Sequence, residues 1–341
     1  MIYIFILVLL FLFSFTKGKL NDKLFIFGIL LLLIVTCLRN PQIGIDTKGG
    51  YYLNYTYAEQ GIRLTWIEWG FELVNRMCVF FGLGYQGVIA ISGILTIIPV
   101  SFVIYKSSVN KCLVLSVYYA MYYVLFSYNM MRQMIAVSFA LLSMYFFNHN
   151  KKCKALLFLI IGFLFHKSII VILPLILLKR FSAKYSVSVV AVSISLILGI
   201  LLKKEFFYLI VGSYSNYLDD IGGYNGFRTS LVMPVLMALA FSMLFLFITY
   251  FNYSKLSRNK WYWVSLIGVM VMNLTVRLGQ GTRIVLYFSQ AQMMFLPEHI
   301  KTIDKKTNRI IIKSVYYTYL LLNFFRILLS QWDSLTPYRF F

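Results

Sequence analysis

Arginine, histidine and carboxylate side chains are sparse in this chain, and where they interrupt apolar sequence they could grip an anion and move a proton. Arg132 stands beside Gln133 in the run SYNMMRQ, Arg39 closes a long apolar run, and Arg277 and Arg283 flank LGQGT. A planar guanidinium matches phosphate or carboxylate oxygens two at a time, which an ammonium cannot do. Arg39, Arg132 and Arg283, from three separate hairpins, therefore form a candidate anion grip. His166, in FHKS, is the side chain whose unperturbed pKa of about 6.5 suits proton transfer near neutrality. Glu68 is the second candidate base, and Asp46 is placed to orient Arg39 or a hydroxyl. The run DTKGGYYLNYTY at 46–57 offers tyrosine rings and hydroxyls. Any one arginine at a helix end equally suits snorkelling to lipid headgroups, and Arg63, Arg76 and Arg339 are read that way.

The elements that must position these groups are membrane helices. Hydrophobic residues make up 60% of the 341 and charged ones 13%, with mean hydropathy +0.79. No soluble fold buries that much apolar surface in one core. Helices long enough to cross hydrocarbon are expected near 1–16, 23–38, 86–105, 112–128, 130–148, 155–165, 168–178, 185–202, 229–252, 261–277, 283–297 and 310–330. The expected fold is all-α, one integral membrane domain over 1–341 with about twelve passes and outer loops near 39–85 and 203–228. Lysine clusters follow alternate spans, among them Lys17/Lys19/Lys23, Lys151/Lys152/Lys154, Lys179/Arg180/Lys184 and Lys301/Lys305/Lys306. By the positive-inside rule that face is cytoplasmic and both termini lie outside. Nine arginines then fall on the outer side (39, 63, 76, 132, 228, 277, 283, 326, 339). Segment 155–178 is expected as two short helices or a re-entrant hairpin with His166–Ser168 at its tip. Segment 66–83 is expected as an amphipathic helix along the outer interface, with Glu68, Glu72, Asn75 and Arg76 on its polar face and Trp66, Trp69 and Phe80 in the headgroup belt.

The net charge of +21 follows from this loop bias and does not point to nucleic acid. Cys37, Cys78, Cys112 and Cys153 lack the close spacing of a metal or redox site. There is no phosphate-binding glycine loop and no zinc-type spacing, so neither a cofactor nor a metal is expected. An outward-facing enzyme without a nucleotide needs a substrate that arrives activated. A lipid-linked diphosphate fits both the bilayer and the arginines.

Five short stretches resemble the EpsG family of exopolysaccharide biosynthesis proteins, which is similar to Wzy-type polysaccharide polymerases. They are Arg39 with Gly44, Ile45, Asp46 and then Tyr51; Glu68, Trp69, Gly70 and Phe71 with Asn75; Asn129 through Gln133 with Ala136; Phe165 through Ser168; and, more loosely, Arg283 with Tyr287. Here Thr47–Gly50 stand where the family pattern has an aromatic residue. The resemblance implies a fold like that of polytopic, GT-C-like membrane glycosyltransferases. It implies polymerisation of repeat units carried on polyprenyl diphosphate at the outer face of the bacterial cytoplasmic membrane, for a capsule, exopolysaccharide or O-antigen, with a chain-length regulator and a flippase as partners. Arg39, Arg132 and Arg283 would bind diphosphate, with His166, Glu68 and Asp46 catalytic. Gln133, Tyr51, Tyr287 and Arg277 would contact glycan. A flippase of lipid-linked oligosaccharide and a membrane O-acyltransferase are the alternative readings.

Overall fold

Apolar runs become helices wherever the chain is described, because backbone polar groups withdrawn from water must pair within the segment. The computed structural model describes residues 1–177, 184–211, 226–228, 230–330 and 334–341. Lys179 and Arg180, and 212–225 of the second expected loop, lie outside the described residues. Two units form, one of Met1–Ile176 with Tyr317–Phe341, the other of Leu177–Tyr316.

In the first unit the helices are α1 (Ile2–Phe13), α2 (Gly18–Cys37), α3 (Tyr52–Glu59), α4 (Trp69–Phe80), α5 (Gly84–Ser107), α6 (Lys111–Ala120), α7 (Tyr123–Phe126), α8 (Met131–Asn148), α9 (Lys152–Phe165) and α10 (Leu173–Leu177). Helix α8 is apolar on nearly every side and accordingly buried almost throughout. It packs between α5 and α9, while α2 packs on α5 and α6. At one end Asn21 and Asn110 tie α2 to α6: Asn21 Nδ2 donates to Asn110 Oδ1 at 3.0 Å, and Asn110 caps α6 at Leu113 N.

The second unit holds α11 (Tyr185–Leu201), α12 (Lys204–Val211), α13 (Val232–Tyr250), α14 (Tyr253–Leu256), α15 (Lys260–Leu274) and α16 (Gly281–Lys301). Asn273 is its polar hub, accepting from Ser242 Oγ at 3.1 Å and donating to Ser195 Oγ at 3.1 Å, the small-residue hydrogen bonding that joins helices in lipid. The last helix, α17 (Lys306–Ser330), ends in the first unit.

Four described helices are long and apolar enough to cross a membrane: α2, α5, α13 and α17; α1, α6 and α11 are apolar but shorter. The span expected at 112–128 is broken, since α6 stops at Ala120 and Tyr122 turns the backbone at φ 70°. Within the segment 39–85 the helix expected at 66–83 is found as α4, and a π-helical turn at Thr47–Tyr51 followed by α3 stands where only loop was expected. Helix α4 turns its polar face into the protein. Glu72 and Asn75 are buried, while Trp69 and Phe80 face outward.

Candidate functional site

Glu68, Arg132 and His166 are distant in sequence and meet at three helix ends. Glu68 immediately precedes α4, Arg132 lies in the first turn of α8, and His166 follows the last residue of α9. At His166 the backbone is extended (φ −158°, ψ 118°) before a 3-10 turn at Lys167–Ile172. Gly70 makes the junction close enough. A Cβ there would come within 2.8 Å of the Leu164 carbonyl oxygen, so only glycine lets α4 approach the end of α9.

The carboxylate of Glu68 bridges the other two groups. Its Oε2 lies 2.5 Å from Arg132 Nη1 and its Oε1 lies 3.3 Å from His166 Nδ1. Glu68 is buried, whereas the Arg132 and His166 side chains keep 25% and 20% of their surface open. Burial alone would raise the Glu68 carboxyl. The approach of His166 and the charge of Arg132 outweigh it and hold the group below its ordinary range. Glu68 is therefore an anion at neutral pH and a poor base. Facing His166 Nδ1, it favours the tautomer that carries the proton there, which leaves Nε2 as an acceptor. Tyr51 closes another side, its ring 5.9 Å from the Arg132 guanidinium. Burial raises the Tyr51 phenol despite that cation, so the hydroxyl stays neutral.

Behind this cluster lies the turn that carries Tyr51. Gly44 has φ +97°, and its α-carbon meets the Tyr128 carbonyl so closely that a Cβ would collide with it. The Asp46 N–H donates to Asn129 Oδ1 at 3.2 Å, Thr47 Oγ1 donates to the Tyr128 carbonyl, and Tyr85 Oη donates to the Thr47 carbonyl at 2.5 Å. Arg39 belongs to this layer. It is 1% exposed, with Nη2 donating to Thr47 Oγ1 at 3.2 Å, Nη1 to the Thr36 carbonyl at 3.4 Å, and its guanidinium carbon 4.4 Å from the Tyr128 ring centre. Its contacts are with the turn, not with Glu68 or an open surface, so it does not share the setting of Arg132.

Other sequence candidates fall elsewhere. Gln133 is buried beside Arg132 in α8. Arg277, Arg283 and Tyr287 belong to the second unit. There Arg277 Nε and Nη2 both donate to the Ile200 carbonyl, at 2.8 and 2.5 Å, at the end of α11. Arg283 opens α16, and Tyr287 is fully buried in the same helix. Among the described residues no group of three or more His, Cys, Asp and Glu gathers as metal ligands do.

The EpsG family pattern matches residues 22–340, nearly the whole chain and every member of this cluster. The chain belongs to the EpsG family. EpsG proteins are a Wzy-like family of exopolysaccharide biosynthesis, so this multi-pass, all-helical chain has a role in making an extracellular polysaccharide. No curated protein and no solved structure matches it.

Reasoning from the sequence missed Thr47, Tyr85 and Tyr128 as supports of the cluster. Gly44 was the one available signal, since glycine supplies the positive φ that such a turn requires. It also missed the C-terminal tail, which lies along the end of α2: Asn40 N donates to the Arg339 carbonyl at 2.9 Å and Phe341 N to the Leu38 carbonyl at 2.8 Å.

Proposed function

We propose that the chain is a metal-independent polysaccharide polymerase that transfers a glycan from polyprenyl diphosphate to a second lipid-linked repeat unit, at the outer face of the cytoplasmic membrane. The observation that carries this reading is the Glu68 carboxylate shared between Arg132 and His166. The acceptor hydroxyl gives its proton to His166 Nε2, its oxygen bonds to the anomeric carbon of the donor, and the bond from that carbon to the diphosphate oxygen breaks. The lipid diphosphate leaves with the electron pair. Arg132 stabilises the charge developing on it with the guanidinium edge that Glu68 does not occupy, an effect strongest where water is excluded. Glu68 orients both partners. Asp46, held at its backbone by Asn129, and Tyr51 contact sugar hydroxyls. Arg39 is a positioning residue that acts through Thr47.

The test is a purified, bilayer-reconstituted protein given a defined polyprenyl-diphosphate oligosaccharide, with product length read by mass. Ladder formation that His166→Ala abolishes supports the proposal. Unchanged ladders from both His166→Ala and Arg132→Lys overturn it.

A further inference from the structure

Beside the π-helical turn, and lined by none of Glu68, Arg132 and His166, the first unit has an open cleft of about 430 Å³. Its walls include Gln42, Lys48, Tyr52, Tyr85, Gln86 and the terminal Phe341. We propose that this cleft is a saccharide subsite that holds a neutral or singly acidic stretch of glycan while Arg132 and His166 act on the reacting bond. The choice of ligand rests on the polymerase reading.

Three features select sugar as the occupant. Tyr52 and Tyr85 stand edge to face, ring centres 5.3 Å apart at 75°, and Tyr52 is half-exposed. A ring face free in a cleft suits the C–H face of a pyranose. Gln86 supplies the second feature. Its Nε2 donates to the Cys37 carbonyl at 2.6 Å and the Arg39 carbonyl at 3.2 Å, which fixes the amide. An amide held in this way gives the cleft a rigid wall, which spares a bound saccharide the cost of ordering it. Third, the walls carry one lysine and no arginine. A lipid headgroup phosphate draws several cations, whereas two amides, three aromatic rings and one ammonium suit a saccharide. A cleft of this size lies within the usual range for small-ligand sites.

The cleft and the reacting groups share one element. Tyr85 Oη donates to the carbonyl of Thr47, the first residue of the turn whose last residue is Tyr51. Lys48 and Tyr52 line the cleft, while Thr47 and Tyr51 are turned inward. Glycan seated against Tyr52 thus bears on the same five residues that hold Tyr51 beside Arg132.

The experiment is saturation-transfer NMR on the full chain in detergent, with a two-repeat fragment released from the exopolysaccharide of the source cell as probe. Wild type is expected to bind, Arg132→Lys to bind equally, and Tyr52→Leu to bind about tenfold more weakly, the loss of one ring contact. Tyr52 is exposed, so this variant keeps its fold, which a thermal melt checks. Absence of fragment binding by wild type, equal binding by Tyr52→Leu, or displacement of the fragment by phosphatidylglycerol each overturns the subsite. The polymerase reading fails separately. If His166→Ala and Arg132→Lys both polymerise normally while Tyr52→Leu loses fragment binding, the cleft stands and the proposed chemistry falls.

Discussion

Replacing Arg132 by lysine separates charge from geometry at the proposed leaving-group site. The lysine ammonium can still reach Glu68, the partner that Arg132 Nη1 contacts at 2.5 Å, so the buried carboxylate keeps a cation. With the pair a quarter open on the arginine side, the fold should lose no more than about 1 kcal/mol. Alanine is the wrong substitution, because it strands the Glu68 carboxylate, an uncompensated buried charge worth about 3 kcal/mol. What lysine lacks is the second edge of the planar fork. One arginine cannot be split between carboxylate and diphosphate by a point-like ammonium, and a donor missing from a preorganised anion site costs about 2.7–4 kcal/mol of barrier, or about 10²–10³ in kcat. The assay is product length and initial rate from a defined lipid-diphosphate repeat unit in reconstituted bilayers, with thermal melting in detergent as the control. A rate within threefold of wild type, at an unchanged melting temperature, would refute the assignment of Arg132 to the diphosphate.

Three further outcomes follow from the same geometry. Glu68→Gln should lower stability at pH 7 by about 1–2 kcal/mol. Because the folded carboxyl titrates below its unfolded value of about 4.3, the Glu68 contribution is complete above that value and is lost as pH falls through the folded one. The melting-temperature gap between wild type and variant should therefore narrow progressively as pH falls below about 4.3, and a gap that stays constant through that descent would contradict the ion pair. Gly70→Ala places a methyl against the Leu164 carbonyl, a backbone atom that cannot step aside. It should cost about 1–3 kcal/mol and abolish polymerisation by moving Glu68 off His166, read by melting and by product mass. Thr47→Val removes the hydroxyl that accepts from Arg39 and donates to Tyr128. It should destabilise by about 1–3 kcal/mol and shorten the polymer, measured on gels of extracted polysaccharide, without eliminating it.

The members of the Glu68 cluster stand out in the sequence because they are chemical exceptions. In a chain this apolar, a histidine between two hydrophobic runs and an arginine opening a helix are conspicuous by type. What type and spacing could not show is which exceptions meet. Glu68 reaches His166 only because Gly70 carries no side chain, and nothing in the run WIEWGF names Leu164 as its neighbour. Arg39 shows the opposite failure. Its residue type and its place at the edge of an apolar run match those of Arg132, yet its guanidinium meets a tyrosine ring, a carbonyl and a threonine hydroxyl, partners fixed by the tertiary fold alone. The pass count has a similar origin. Hydropathy marks α1 and α6 as apolar, but their lengths of 12 and 10 residues are set by where the chain turns inside the protein, and a window of apolar residues does not see a left-handed tyrosine at 122.

Arg39 also explains why a π-helical turn, an uncommon structure often found at functional sites, can persist at Thr47–Tyr51. A guanidinium withdrawn from water needs compensation from polarisable or polar neighbours. Tyr128, Thr36 and Thr47 provide it only if the turn keeps Thr47 facing inward. The preference is mutual: the turn satisfies the arginine, and the arginine holds the turn in a conformation whose backbone bonding is poorer than that of an α-helix. Release of Thr47 would let the five residues relax toward regular helix, and Tyr51, at the far end, would rotate away from Arg132. On the reading proposed above, a buried cation with no carboxylate partner among the described residues acts on the site through the backbone between them. Its own contact with substrate is not required for its loss to reduce activity.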